Sequence, residues 1–215
     1  MKYIQKVDTP QFFLDKTSTL NKWDEFKGID KRELKTFILD NEQNHVCCYC
    51  EGKVKIDSSH LEHIKPKSFD PLHLTFDYQN IAVSCNGICN NEIEKEYCGH
   101  KKENMFDEEK FLNPTQEINI REYFSYKDDG KIESSGLNNE KALYTRDLLQ
   151  LNTFNNYLQE ARIKALIEFR NAVGKIAQNT GKDLKDIART ILNQEKSAYI
   201  SFLRYRYKNI LKENN

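Results

Sequence analysis

Cys47 and Cys50 stand with two residues between them in the run CCYC, and Cys85, Cys89 and Cys98 follow downstream. A C-x-x-C turn lets two thiolates reach one tetrahedral ion. A second, distant pair completes the coordination and clamps the loop between. Zinc suits such a set; a redox dithiol is the competing reading of C-x-x-C alone. Cys85 can be joined by Cys89 or by Cys98, so spacing leaves the fourth ligand open. Cys48 reads as a small buried hydrophobe. Between the halves of the clamp lies HLEHIKPKSF, beginning at His60, where Glu62 adjoins His63 and Pro66 separates Lys65 from Lys67. An imidazole takes up a proton near neutrality, and a carboxylate binds a divalent cation. Together they suit chemistry on an anionic substrate.

The wider composition favours a metal over a disulfide framework. All six cysteines fall between Cys47 and Cys98, and all five histidines between His45 and His100. Clustered thiols in a reducing compartment bind metal more often than they pair. The chain has 215 residues, 33 basic and 33 acidic, and a formal net charge of zero. No global field draws in nucleic acid, so any such binding rests on a local patch. Mean hydropathy is −0.79, yet aromatic residues are plentiful, which argues against disorder. No apolar run is long enough to span a bilayer, and the first residues lack a signal-peptide core, so a cytoplasmic protein is expected.

Four stretches must position these residues. Residues 1–45 read as an approach segment and a helix, with Leu34, Phe37 and Ile38 on one face and Asp30 as its cap. Residues 46–115 hold the Cys/His module, with short strands around it. Residues 116–137 read as a β-hairpin turning at Asp129-Gly130. Residues 138–215 read as helical: one helix in NEKALYTRDLLQL, one bearing Leu158, Ile163, Leu166 and Phe169, one capped by Asp183, and a last one through KSAYISFLRYRYKNILK. In that last helix Ile200, Leu203, Tyr207 and Ile210 follow core spacing, which leaves its cations on an outer, solvated face. The expected fold class is α+β, predominantly α-helical, with an embedded metal-stapled module.

The segments CCYCE, LEHIKPKS, YQNIAVSC and CGHKKEN, in this order, resemble the HNH (ββα-metal) endonucleases. The likeness is nearest to the HNH subunit of Septu-type and retron-associated antiphage systems, and covers roughly residues 45–165, with weaker echoes in its later part. The resemblance implies a zinc-stapled ββα-metal module over residues 46–115. It favours Cys98 as the fourth zinc ligand beside Cys47, Cys50 and Cys85. It implies His63 as general base, Glu62 as a ligand of the catalytic metal, Asn80 as the brace of the loop bearing the base, and His100 as the last metal ligand on the module's helix. Asn104, four residues after His100, shares its helix face if the helix continues. Gly99 departs from the commoner adjacent Cys-His, and Cys89-Asn90 offers a competing alignment. Alternation along a strand aims Glu62 and His63 apart, so a bend is expected between them.

Phosphodiester hydrolysis needs a base for water, a cation for the phosphate, and stabilisation of the leaving oxygen; magnesium or another divalent ion serves the last two. The resemblance further implies a nucleic-acid substrate, DNA ahead of RNA, and an ATPase partner subunit. A non-catalytic, zinc-stabilised module that binds nucleic acid or protein is the alternative. His60 and His73 have no partner at motif spacing and read as surface residues. Lys65, Lys67, Lys101 and Lys102 read equally as phosphate contacts or as solvated surface.

Overall fold

The computed structural model describes residues 1–87 and 97–212. Cys89 and Asn90 lie outside the described residues. The fold is α+β, about half helical, with two small antiparallel sheets among the described residues.

The chain opens with α1 (Gln11–Thr17) and α2 (Gly28–Ile38), whose Leu34 and Ile38 are buried at helical spacing. Asp30 does not cap α2. The helix begins two residues earlier, and Asp30 lies in its first turn, 2.6 Å from Lys16 Nζ, where a carboxylate also complements the helix dipole. A π turn over Leu39–Gln43 follows, and Asn44 and His45, both with positive φ, swing the chain into the CCYC knuckle. Gln43 has no exposed surface and ties this turn to the next sheet. Its Nε2 donates to the carbonyls of Val46 (2.8 Å) and Val83 (2.9 Å), and its Oε1 accepts from Val83 N–H (2.8 Å).

Strands β1 (Ser59–His63) and β2 (Ile81–Cys85) pair antiparallel, from Ser59 opposite Cys85 to His63 opposite Ile81. Between them lies the short helix α3 (Pro71–Leu74), capped by Asp70. After β2 comes α4 (Gly99–Lys102), only four residues long. Two antiparallel strands and a helix thus follow in order. The helix stops at Lys102 because Glu103 adopts positive φ, so Asn104 lies beyond it rather than on its face.

The second sheet, β3 (Phe124–Tyr126) with β4 (Ile132–Ser134), turns through Asp129-Gly130 as expected. Gly130 sits at φ +83, and a Cβ there would come within 2.5 Å of the Gln159 carbonyl oxygen. The buried Arg162 closes this contact by donating to Gly130 O (2.9 Å) and Leu151 O (2.8 Å). Helices α5 (Asn139–Leu148), α6 (Tyr157–Thr180) and α7 (Leu184–Asn193) follow, α7 capped by Asp183.

The last helix is not continuous. It divides into α8 (Ile200–Arg206) and α9 (Lys208–Lys212), with Tyr207 outside helical geometry and Tyr199 left-handed at its start. The late start of α8 has a tertiary cause: Tyr199 N–H donates to Glu51 O and Ser201 N–H to Glu51 carboxylate, each at 2.8 Å. That anchors the start of α8 to the knuckle and excludes Lys196 from the helix. One buried core runs from Ile4 through Leu39, Val83 and Leu151 to Leu203. No helix among the described residues is long and apolar enough to cross a membrane.

Candidate metal and active site

The sulfur cluster forms where the knuckle, the end of β2 and the start of α4 meet. The sulfurs of Cys47, Cys50, Cys85 and Cys98 all lie within 4.8 Å of one another, and Cys50 and Cys85 are 3.9 Å apart. Tetrahedral zinc with Zn–S bonds of about 2.3 Å holds its sulfurs about 3.8 Å apart, so the donors present fit such an ion. Backbone N–H groups point at the sulfurs: Cys85 and Tyr49 at Cys47 Sγ (3.3 and 3.5 Å), and Gly52 at Cys50 Sγ (3.4 Å). These donors favour thiolates. Burial alone raises the thiol of Cys47, yet hydrogen bonds from Cys48, Cys50, Cys85 and Cys98 bring it well below the ordinary range. Cys98 reaches the cluster with φ +61, a conformation costly for a side-chain-bearing residue. Cys48 stays out of the group and is buried in the core.

Along the same hairpin, from beside the sulfur cluster to the far end of β1, an open cleft of about 450 Å³ is lined by Trp23, His60, Glu62, His63, Gly99 and His100, among others. No bend separates Glu62 from His63. Both belong to regular β1, and the cleft runs along that strand, lined by each residue from His60 to His63. Glu62 is 7% exposed. Its Oε1 accepts from Tyr49 O–H (3.0 Å) and pairs with Lys102 Nζ (3.1 Å), while Oε2 faces His60 Nε2 at 3.2 Å. Burial opposes ionisation, but His60 and Lys102 outweigh it and hold the carboxyl below its usual range.

His63 lies 3.1 Å, through Nε2, from the Thr75 carbonyl oxygen. A carbonyl only accepts, so the ring carries its hydrogen on Nε2 and keeps the Nδ1 lone pair. Trp23 packs edge-on against the ring, with centroids 4.6 Å apart. Burial lowers the imidazole pKa, which keeps it neutral and basic near pH 7. Asn80 holds the loop after His63 by a reciprocal pair: its Oδ1 accepts from Lys65 N–H and its Nδ2 donates to Lys65 O, both at 2.8 Å. Asn80 O also accepts from Ile64 N–H (2.9 Å).

The chain is 36% identical over 138 residues to the "Retron Vc95 putative HNH endonuclease" of Vibrio cholerae serotype O1 biovar El Tor. It is similar to an HNH endonuclease of a retron. The match covers 60% of this chain and 63% of the relative, so the chain spans less than two thirds of that protein's length. No protein-family model matches the chain. The similarity agrees with the resemblance drawn from the HNH motifs.

Around those motif residues the structure brings in others that spacing did not reveal. His60 is half-buried and not without partners: it touches the Glu62 carboxylate and stacks on His100, with centroids 4.4 Å apart and planes 13° from parallel. Lys102 is neither solvated nor free for phosphate. It has no exposed surface and is spent on Glu62. Lys65 pairs with Glu108 at 2.8 Å. His73 is exposed and bonded to Asp70, as a surface histidine should be. Tyr49, Trp23 and Thr75 serve Glu62 and His63 from other elements. Only the position of Tyr49 inside the cysteine knuckle could have signalled its role.

Proposed function

We propose that this protein is a metal-dependent nuclease that hydrolyses phosphodiester bonds, built on a zinc-stapled HNH module. The observation that carries the reading is His63: a ring fixed through Nε2 by a backbone carbonyl, with Nδ1 left to accept a proton at the edge of a cleft. Its likeness to a retron HNH endonuclease supports the same reaction class.

The four sulfurs would hold zinc, which carries no chemistry here beyond fixing the knuckle, β2 and α4. Glu62, with His100 by resemblance, would hold a divalent ion such as magnesium; when bound, it draws charge from the phosphate and the leaving oxygen. His63 Nδ1 takes the proton of the attacking water. Asn80 keeps the segment after His63 from drifting, and Trp23 keeps the ring from tilting. Lys102 and Tyr49 restrain one oxygen of Glu62 and leave the other toward the cleft. Nucleic acid is the substrate class this chemistry serves, with DNA ahead of RNA. The Septu and retron likeness supports an antiphage complex with an ATPase partner, and a chain of zero net charge fits a nuclease that needs that partner to hold its substrate.

The test is cleavage of plasmid DNA and of RNA by zinc-loaded protein with added divalent ion, alone and with a co-purifying partner. Divalent-dependent cleavage that disappears in His63→Ala, while zinc content and circular dichroism persist, supports the reading. Zinc-loaded, folded protein that cuts neither substrate in either state makes it a binding module instead.

A further inference from the structure

We propose that His60 is a ligand of the divalent cation at Glu62, and that the site therefore favours manganese(II) over magnesium. This rests on the nuclease reading above and assigns a residue which that reading leaves unused.

The geometry around Glu62 is asymmetric. Tyr49 and Lys102 both occupy Oε1, at 3.0 and 3.1 Å. Oε2 meets His60 Nε2 at 3.2 Å. Adjacent ligands of an octahedral ion with bonds of about 2.1 Å stand about 3 Å apart, which is close to this separation. The other ring nitrogen, Nδ1, lies 3.4 Å from Asn86 Oδ1, an acceptor. Without an ion, Nε2–H donates to Oε2; once a cation displaces that hydrogen, Nδ1 keeps the one facing Asn86, and Nε2 and Oε2 both turn lone pairs to the ion. Metal-bound histidines characteristically donate their second N–H to such an acceptor.

Two further features agree. A Cβ on Gly99 would fall 2.5 Å from Glu62 Oε2 and 2.6 Å from His60 Nε2, so only glycine leaves the space beside both atoms open. The glycine between Cys98 and His100, a departure from the commoner motif, thus gains a purpose. The His100 ring lies nearly parallel to that of His60. In-plane lone pairs of rings stacked this way do not converge on one ion, so this placement favours His60, which meets the carboxylate, over His100, the ligand the resemblance implies; His100 then fixes the plane of His60. Imidazole is a better ligand for manganese and later transition ions than for magnesium, which prefers oxygen.

The experiment uses the full, zinc-loaded chain titrated with manganese(II) and followed by electron paramagnetic resonance, with pulsed detection of nitrogen coupling. Magnesium competes in a parallel titration. Wild type should bind manganese more tightly than magnesium and show histidine nitrogen. His60→Gln should weaken manganese about 10- to 100-fold and lose that nitrogen, whereas His100→Gln keeps it. Gly99→Ala should also weaken manganese while zinc stays bound, an independent check should His60→Gln fail to fold. Unchanged manganese affinity and nitrogen coupling in His60→Gln overturns the ligand assignment, and plasmid cleavage by wild type then shows that the nuclease reading survives. A wild type that binds no manganese and cuts nothing overturns both.

Discussion

At one end of the β1–β2 hairpin Ser59 pairs with Cys85, beside four sulfurs; at the other, His63 pairs with Ile81 at the lip of a cleft. The two ends follow different rules. The sulfur end draws ligands from three segments far apart in the chain, buries three of the four, and satisfies them with one another and with backbone N–H groups. The cleft end takes its central residues from neighbouring positions on one strand and holds each by a single committed atom: Nε2 of His63 by Thr75, Oε1 of Glu62 by Tyr49 and Lys102. Nδ1 of His63 is not taken by Thr75, and Oε2 of Glu62 meets only the His60 ring, itself part of the cleft wall. A closed site exhausts its donors and so provides rigidity; an open site keeps some in reserve and so provides reactivity.

The widest separation between the two ends is expected from Cys98→Ser. It should abolish zinc binding and lower the melting temperature by about 10 °C or more, taking a loss of about 4 kcal/mol and 2–4 °C per kcal/mol for a chain of this size. Metal analysis with thermal unfolding reads both; an unchanged melting temperature would remove the stapling role. Next comes His63→Ala, which should lower cleavage about 10²- to 10⁴-fold while zinc content stays full and the melting temperature moves by no more than about 4 °C. Loss of zinc in this variant would mean that the two ends are not independent.

Asn80→Ala lies between them, since it strips both bonds from the Lys65 backbone. A cost of about 2–3 kcal/mol in denaturant unfolding is expected, with a smaller fall in cleavage than for His63→Ala. Cleavage at the wild-type rate would deny Asn80 its bracing role. Tyr49→Phe should have the smallest effect, about 1 kcal/mol, because Lys102 still holds Glu62 Oε1. A large loss of zinc there would show that Tyr49 serves the cluster more than the cleft.

Much of the sulfur end was legible in the sequence because ligand spacing is a local signal: C-x-x-C reports a turn wherever it folds. The Asp129-Gly130 hairpin and the Asp183 cap were legible for the same reason. The choice of Cys98 over Cys89 was not legible from spacing; it needed the family resemblance, and Cys89 lies outside the described residues. Lys102 escaped because it meets Glu62 only across the fold, whereas His60 stands two residues from Glu62 on one strand, a local signal masked by the bend expected there. Asp30 misled because a good capping residue also suits the first turn. The late start of α8 was hidden because Tyr199 and Ser201 answer to Glu51, about 150 residues earlier in the chain.

That last contact couples the tail of the molecule to its metal chemistry. Glu51 follows Cys50 directly, so the carboxylate and carbonyl that receive α8 are set in place only when the knuckle has closed. Contacts so remote in sequence form late, after the costly loop between them is paid down by other structure. On the reading that the four sulfurs hold zinc, loss of the ion would loosen this seat and with it the packing of Phe202 and Leu203. Supply of the ion would then set how much folded protein accumulates, before any question of what each molecule does.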